Sequence, residues 1–236
     1  MGTNGRRSRL GELASWALVF CAFLTTALVV HQEFFPDVST ASTAITTKRQ
    51  AIYVEEWHSA LGTGIISGSQ DAPIQVIEFA DFECPGCARY EATVRAIREK
   101  YSEKQVAVTF AYYPLIYHEF AESAARVAEC AHMQGRFEEM RTILFRNQQA
   151  FGSVSWKDLA TQAGVPNLKD FDACIDDKES SNRVKEAKRS GDKMGVRGTP
   201  AVVINGWMLP IPPSLDEFDK IVNNISSGRP PAAGIY

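Results

Sequence analysis

The sequence has no excess of basic residues, and this bounds the partners it can bind. Its 236 residues include 25 Lys and Arg against 28 Asp and Glu, which gives a formal net charge of −3 at pH 7. Nucleic-acid binding usually needs a basic field that neutralises phosphates, so we set this class aside. With 45% hydrophobic and 22% charged residues, the chain does not have the composition of a disordered protein and can bury a full core.

The sequence also lacks the full set of ligands that a common zinc site needs. Two of the five cysteines, Cys84 and Cys87, form a Cys-x-x-Cys pair, which is half of a common zinc site. No second Cys-x-x-Cys and no His-x-x-x-His follows at ligand spacing. The four histidines are scattered: His31, His58, His118 and His132. We therefore expect no metal and interpret the pair as a redox dithiol.

Charge is absent from residues 13–30, and neutral His31 and Gln32 extend this stretch to about the length that spans a bilayer. Arginines precede the stretch and acidic residues follow it. The positive-inside bias then predicts that residues 1–12 are cytoplasmic, that residues 13–32 are a single transmembrane anchor in the cytoplasmic membrane, and that the rest is periplasmic or otherwise extracytoplasmic. A cleaved signal peptide is the alternative, but its apolar region is usually shorter and its cleavage site closer.

Cys21 lies inside the predicted anchor. Because Phe20 before it is too large for a lipid-attachment signal, we interpret Cys21 as an apolar thiol in the membrane. Residues 33–50 include a stretch rich in Ser, Thr and Ala without an apolar period, which predicts a tether. We place the folded domain at 51–226 and a flexible tail at 227–236.

The dithiol Cys84-Pro85-Gly86-Cys87 lies between an apolar run at 74–82 and a helix-like stretch at 88–101. The run predicts a strand buried on both faces, with Glu78 as the one charge inside that strand. A strand that feeds two cysteines into the first turn of a helix places Cys84 where free backbone N–H groups and the helix dipole favour a thiolate. The thiolate attacks disulfides, so this placement predicts thiol–disulfide exchange.

The remaining pattern predicts the order β-α-β, helical block, β-β-α. A second parallel strand is expected at 106–113 and a helical block at 117–195, with N-caps at Ser155 and Asn167. Strands at 201–204 and 207–211 flank Asn205-Gly206, the preferred type I′ turn. Ser214 and Glu217 form a capping box for a final helix that ends near residue 225.

The chain resembles the DsbA-like, thioredoxin-fold family of thiol–disulfide oxidoreductases over roughly residues 68–225. The resemblance is carried by DAPIQVIEFADFECPGC, ESAARVAECAHMQGRFEEM with LFRNQ, FDACID and GVRGTPAVVINGW. It implies an α/β fold, namely a thioredoxin fold with an inserted helical domain, here preceded by one transmembrane helix.

The resemblance also implies roles for individual residues. Cys84 would be the nucleophile and Cys87 the resolving thiol, while Glu78 matches the buried acid that relays a proton to or from the resolving cysteine. Thr199-Pro200 matches the cis-proline loop that offers backbone groups to an extended substrate. Pro85-Gly86 supplies no cation between the cysteines, so we expect a milder oxidant than DsbA.

Two cysteines of the helical block, Cys130 and Cys174, remain. In an oxidising compartment they could form a structural disulfide, as some DsbA-like proteins have at corresponding positions, and two free buried thiols are the alternative. Tyr117, His118 and Glu119 could line the active-site groove, but we favour a capping or packing role for them.

We therefore expect a membrane-anchored, extracytoplasmic thiol–disulfide oxidoreductase that oxidises cysteines of exported proteins. We expect a monomer that needs no dissociable cofactor and that an unidentified membrane partner returns to its starting redox state. The same chemistry run in reverse, in a reductase or isomerase, is one alternative. A non-catalytic adaptor that binds peptides beside Pro200 is another.

Overall fold

Two buried parallel strands form the centre of the fold. The computed structural model describes residues 50–235, except the side chain of Lys178. Its strands are β1 (Ile52–Tyr53), β2 (Ile65–Ser67), β3 (Ile74–Ala80), β4 (Val106–Tyr112), β5 (Ala201–Ile204) and β6 (Trp207–Met208). They form one six-stranded sheet in the order β1-β6-β5-β3-β4-β2.

Strands β3 and β4 are buried at every residue, as their apolar sequences predict. They pair in parallel from Ile74 opposite Val106 to Ala80 opposite Tyr112, and β5 pairs antiparallel to β3 on its other side. The predicted β-α-β unit is confirmed, and a short loop connects the end of β3 to the dithiol.

The helices divide into those of the helical block predicted at 117–195 and those outside it. They are α1 (His58–Leu61), α2 (Pro85–Lys100), α3 (Ala121–His132), α4 (Phe137–Arg146), α5 (Trp156–Gln162), α6 (Leu168–Asp176), α7 (Asn182–Lys193) and α8 (Leu215–Ser226). One core cluster joins the sheet to α2 and α8 through side chains such as Val76, Val94 and Phe218. A larger cluster joins the sheet to α3–α7, so the insertion shares its core with the sheet.

The predicted local signals lie where the sequence analysis placed them. Ser155 and Asn167 accept hydrogen bonds from backbone N–H groups as N-caps, and Ser214 with Glu217 forms the capping box of α8. Asn205 and Gly206 both have positive φ, 46° and 85°, as a type I′ turn requires.

Two edge strands were not predicted. Strand β2 lies in a segment for which the sequence analysis predicted no strand, and it pairs antiparallel with β4. A Cβ on Gly64 would lie 2.3 Å from Thr109 Cγ2, so this approach to β4 needs glycine. Strand β1 pairs with β6, and β6 ends at Met208 instead of at residue 211.

The predicted cytoplasmic segment 1–12, the anchor 13–32 and all but the last residue of the tether 33–50 lie outside the described residues. Within residues 50–235, no helix combines the length and the apolar character needed to cross a bilayer. The segment predicted as a tail turns back on α8, where Asn224 Nδ2 donates to the carbonyl oxygens of Pro231 and Ala233.

Candidate active site

The dithiol occupies the first turn of α2. Cys84 is the N-cap residue with extended backbone angles, φ −74° and ψ 119°, and Pro85 fills the first helical position, where its missing N–H costs nothing. Cys84 is 8% exposed and Cys87 is fully buried, and both are free thiols. The two sulfurs therefore differ in access, with Cys84 the one nearer to solvent.

The surroundings of Cys84 stabilise its thiolate. The pKa of Cys84 is lowered to about 5 by a hydrogen bond from the Cys87 thiol, by the Thr199 hydroxyl and by the backbone N–H groups of Cys87 and Gly86. Burial acts in the opposite direction. As a thiol, Cys84 Sγ lies 3.3 Å from the Thr199 carbonyl oxygen and donates to it. Thr199 Oγ1 is buried and has no other partner among the described residues, so its hydroxyl is available to the thiolate.

The pKa of Cys87 is shifted in the opposite direction from that of Cys84. Burial raises the pKa of this thiol, and the hydrogen bond to Cys84 and the negative charges of Cys84 and Glu78 raise it further. One donor acts the other way: the backbone N–H of Asp81 lies 3.5 Å from Cys87 Sγ. The pair thus contains one thiol that ionises readily and one that holds its proton.

The loop that precedes β5 lies against the dithiol. The Thr199–Pro200 peptide bond is cis. A Cβ on Gly86 would lie 3.1 Å from Pro200 Cδ and 3.5 Å from Cys84 Sγ, which places the proline ring close to the Cys84 sulfur. A groove of about 410 Å³ begins here and runs along Arg89, Thr93 and Pro212.

Glu78 is fully buried in a charge cluster, and its charge acts on the Cys87 thiol. On β3, Val76 packs on the face that α2 covers, and the two-residue alternation of a strand gives Glu78 the same face. Its Oε2 accepts from Arg141 Nη2 at 2.8 Å. The same nitrogen lies 2.6 Å from Glu91 Oε2. Burial raises the pKa of Glu78, while the charge of Arg141 opposes this rise.

The partner of Glu78 was not predicted from the sequence. Arg141 is 1% exposed and lies on α4, in a segment that the sequence analysis predicted only as part of the helical block at 117–195. Its guanidinium also lies 4.8 Å from the centre of the Phe110 ring, a cation–π contact. Nothing in the local pattern distinguishes such a buried arginine from a solvated one.

The loop between β3 and the dithiol is fixed by side-chain hydrogen bonds that the sequence analysis also missed. Asp81 Oδ2 accepts from the Leu115 backbone N–H at 2.8 Å and lies 2.7 Å from His118 Nδ1. Gln148 Nε2 donates to the carbonyl oxygens of Phe82 (2.7 Å) and Cys84 (3.0 Å). His118 therefore holds this loop, which agrees with the packing role that we favoured for it.

Cys130 and Cys174 form a disulfide that joins α3 to α6, with Cα atoms 5.8 Å apart. This pairing agrees with the resemblance and not with the alternative of two free thiols. Among residues 50–235, no group of three or more His, Cys, Asp or Glu side chains is arranged to hold a metal ion.

The chain is similar to known proteins both in sequence and in fold. The chain is 33% identical over 147 residues to Na(+)/H(+) antiporter NhaA 1 of Mycolicibacterium gilvum, a match that covers 60% of this chain and 23% of the antiporter. The chain thus spans about a quarter of the length of that relative. It is 26% identical over 167 residues to probable disulfide bond formation protein D of Bacillus cereus, covering 66% of this chain and 76% of that protein.

Among solved structures, oxidised BdbD from Bacillus subtilis superposes with a TM-score of 0.64 at 19% identity and covers 76% of this chain and 99% of BdbD. This match shows the fold, and the matches together confirm the resemblance to DsbA-like proteins. The sequence model of the family described as Thioredoxin matches residues 60–224. The fold, the placement of the dithiol and this match lead to one conclusion: the chain belongs to the thioredoxin family.

Proposed function

We propose that the protein is a thiol–disulfide oxidoreductase that oxidises cysteines of exported proteins. The observation that carries the proposal is the asymmetry of the dithiol. The pKa of Cys84 is lowered to about 5, whereas the pKa of Cys87 is raised, and both thiols lie at the start of one helix beside a cis-proline. Exchange is the attack of a thiolate on a disulfide, and this asymmetry makes Cys84 the stabilised thiolate and Cys87 the thiol that holds its proton.

The exchange proceeds through a mixed disulfide. A client thiolate attacks Cys84 of the Cys84–Cys87 disulfide, the S–S bond breaks, and its electron pair goes to Cys87 Sγ, which takes up a proton. A second client thiolate then attacks the client sulfur of the mixed disulfide, and Cys84 leaves as a thiolate. Since Cys84 is the stabilised thiolate, it is the better leaving group of the two cysteines.

The pKa of Cys84 supports oxidation as the direction of exchange. A value of about 5 falls between the roughly 7 of thioredoxin and the roughly 3.5 of DsbA. A stabilised thiolate stabilises the reduced form and makes the disulfide more oxidising. We therefore expect an oxidant milder than DsbA, in line with the absence of a cation at Pro85-Gly86.

The extracytoplasmic, membrane-anchored location is part of the same proposal. It is supported by the arginines and the uncharged stretch at 13–32 in the sequence. It is also supported by the Cys130–Cys174 disulfide, since structural disulfides persist in oxidising compartments. In that setting a membrane redox partner has to reoxidise the dithiol after each cycle.

The test is a redox titration against glutathione, followed by thiol alkylation and mass spectrometry, with Cys84→Ser and Cys87→Ser as controls. We expect a potential between about −270 mV, that of thioredoxin, and about −120 mV, that of DsbA. Cys87→Ser should accumulate a mixed disulfide at Cys84 with a model peptide, and Cys84→Ser should not. A potential at or below that of thioredoxin would indicate a reductase, and peptide oxidation that survives Cys84→Ser would disprove catalysis by the dithiol.

A further inference from the structure

The groove beside the cis-proline runs along one face of α2. Four residues of this helix line it, namely Gly86, Arg89, Tyr90 and Thr93. Their spacing of three and four residues places them on a single helix face. At a rise of about 1.5 Å per residue, the stripe is about 10 Å long, the length of about three residues of an extended peptide. It is therefore long enough for the client residues next to the reacting cysteine.

The stripe starts at the sulfur that reacts with the client. A Cβ on Gly86 would lie 3.5 Å from Cys84 Sγ, and Arg89 lies about one helical turn further along α2. A client cysteine bound to Cys84 Sγ therefore has its neighbouring residues within reach of the Arg89 side chain.

The other walls of the groove offer a peptide few hydrogen-bond donors. Pro200, Pro212 and Pro213 also line it, and proline has no backbone N–H. Tyr90 is buried and packs in the core cluster that joins α2 to the sheet. Recognition of a polar client side chain is therefore left to the few polar side chains of the groove.

The carboxylate of Glu217, also on this groove, is already engaged. Its Oε2 accepts hydrogen bonds from the backbone N–H and from the hydroxyl of Ser214, each at 2.8 Å. These contacts belong to the capping box at the start of α8, where the helix dipole favours a negative charge. The charge of Glu217 is thus partly balanced by its own helix.

Arg89 is a cation without a partner in this groove. Its side chain is exposed, and within residues 50–235 it forms no ion pair, hydrogen bond or ring contact. The other two arginines of α2 differ, because Arg95 pairs with Glu99 and Arg98 pairs with Glu138. The guanidinium of Arg89 is therefore available to a ligand in the groove.

We propose that Arg89 is a specificity-determining residue that selects clients with an acidic side chain next or next but one to the reacting cysteine. The inference rests on the proposed function and names the client class that this function leaves open. A guanidinium holds a carboxylate with two parallel hydrogen bonds. A basic client residue at the same place meets a like charge and is disfavoured. Since Arg89 is exposed, the contact is modest, and it discriminates between clients instead of anchoring them.

The experiment lets peptides compete for Cys84 alone. The full chain carries Cys21→Ser and Cys87→Ser, so Cys84 is the one thiol outside the Cys130–Cys174 disulfide, and it is first joined to thionitrobenzoate. A peptide thiolate attacks Cys84 Sγ, the S–S bond breaks, and thionitrobenzoate leaves with the electron pair. Two end-blocked peptides with Glu or Lys beside their cysteine compete at equal concentration, and mass spectrometry gives the ratio of the two adducts.

The ratio of Glu-peptide adduct to Lys-peptide adduct is compared between Arg89→Gln and Arg95→Gln. Arg95→Gln is the matched control, because it removes the same charge from an exposed site on α2 outside the groove. The comparison cancels the intrinsic reactivity of the two peptide thiols. Separate peptide pairs carry the charged residue before or after the cysteine, so the result does not depend on the direction in which the client lies.

Arg89→Gln should lower the ratio about fivefold relative to Arg95→Gln, the upper range for an exposed ion pair. Arg89→Lys keeps the charge and should retain more of the preference than Arg89→Gln. At about 1 M NaCl, where the screening length falls to about 3 Å, the difference should shrink. Equal ratios in Arg89→Gln and Arg95→Gln for both peptide orientations, or a difference that salt leaves unchanged, would overturn the role of Arg89.

Failure of the proposed function gives a different result. A wild-type protein that does not oxidise a dithiol peptide would show that the proposed function is wrong, whatever the adduct ratios. A wild-type protein that oxidises this peptide, while Arg89→Gln and Arg95→Gln give equal ratios, would leave the function in place and remove only the selectivity for acidic clients.

Discussion

His118 Nδ1 lies 2.7 Å from Oδ2 of Asp81, and this contact joins the loop after β4 to the loop between β3 and the dithiol. The same carboxylate accepts from the backbone N–H groups of Leu115 and Glu83. Asp81 is 2% exposed, so its carboxylate needs these partners. Its backbone N–H also contacts Cys87 Sγ, which makes the position of the resolving thiol depend on the loop.

Asp81→Ala should therefore destabilise the protein by about 2–3 kcal/mol, because it leaves buried donors without an acceptor. Urea unfolding of the reduced protein measures this change. Asp172→Ala is the control, since the ion pair of Asp172 with Lys157 is exposed and its loss should cost less than about 1 kcal/mol. Equal losses in the two variants would contradict the role assigned to Asp81.

The reduced protein should become more stable as the pH rises from about 5. Folding lowers the pKa of Cys84 to about 5, below the roughly 8.5 of an unfolded cysteine. Between these two pKa values the unfolded state binds more protons than the folded state, so the free energy of unfolding rises with pH. This contribution of Cys84 is lost as the pH falls through the folded pKa. Urea titrations of the reduced protein and of Cys84→Ser measure the difference, which should vanish below pH 5 and grow up to about pH 8.5.

Thr199→Val should raise the pKa of Cys84. The hydroxyl of Thr199 lowers this pKa, and valine has nearly the same shape but cannot donate a hydrogen bond to the thiolate. Absorbance at 240 nm against pH gives the titration midpoint. Thr93→Val, in the same groove, is the matched control and should leave the midpoint unchanged; a shift of equal size in both variants would rule out the specific hydrogen bond.

Loss of the Cys130–Cys174 disulfide should lower stability without removing exchange activity. The bond spans 44 residues, which corresponds to about 4 kcal/mol in the chain-entropy view of disulfides. The double variant Cys130→Ala/Cys174→Ala, unfolded in urea beside the wild type, measures this loss, and a glutathione assay measures activity. Mass mapping of non-reduced peptides checks the bond itself, and alkylation of both cysteines in the native protein would refute it.

The sequence predicted the parts of the fold that depend on neighbours in the chain. The buried run of β3, the turn at Asn205-Gly206 and the caps at Ser155 and Ser214 each have a local cause, and the structure has them in place. Strands of two or three residues such as β1 and β2 are too short to show a period. They exist because of their partners β6 and β4.

The same limit applies to the candidate site. Cys84, Cys87 and Glu78 stand out within one stretch of sequence, but Arg141 is 63 residues from the carboxylate that it binds. In its own helix it looks like any polar residue beside an apolar stripe. Only the packing of α4 against α2 and β3 makes this arginine a core residue, and that packing is a property of the whole chain.

Gln148 gives the insertion a direct role in holding the active-site loop. Its single amide group holds the carbonyl oxygens of Phe82 and Cys84 from a short turn that follows α4. A minimal thioredoxin made by excising the inserted helices would remove the Gln148 donor from both carbonyls, leave Cys84 O with the Ala88 backbone N–H, and release the loop that precedes the nucleophile. Protein engineers who transplant this dithiol onto a smaller scaffold would therefore have to supply a substitute for Gln148.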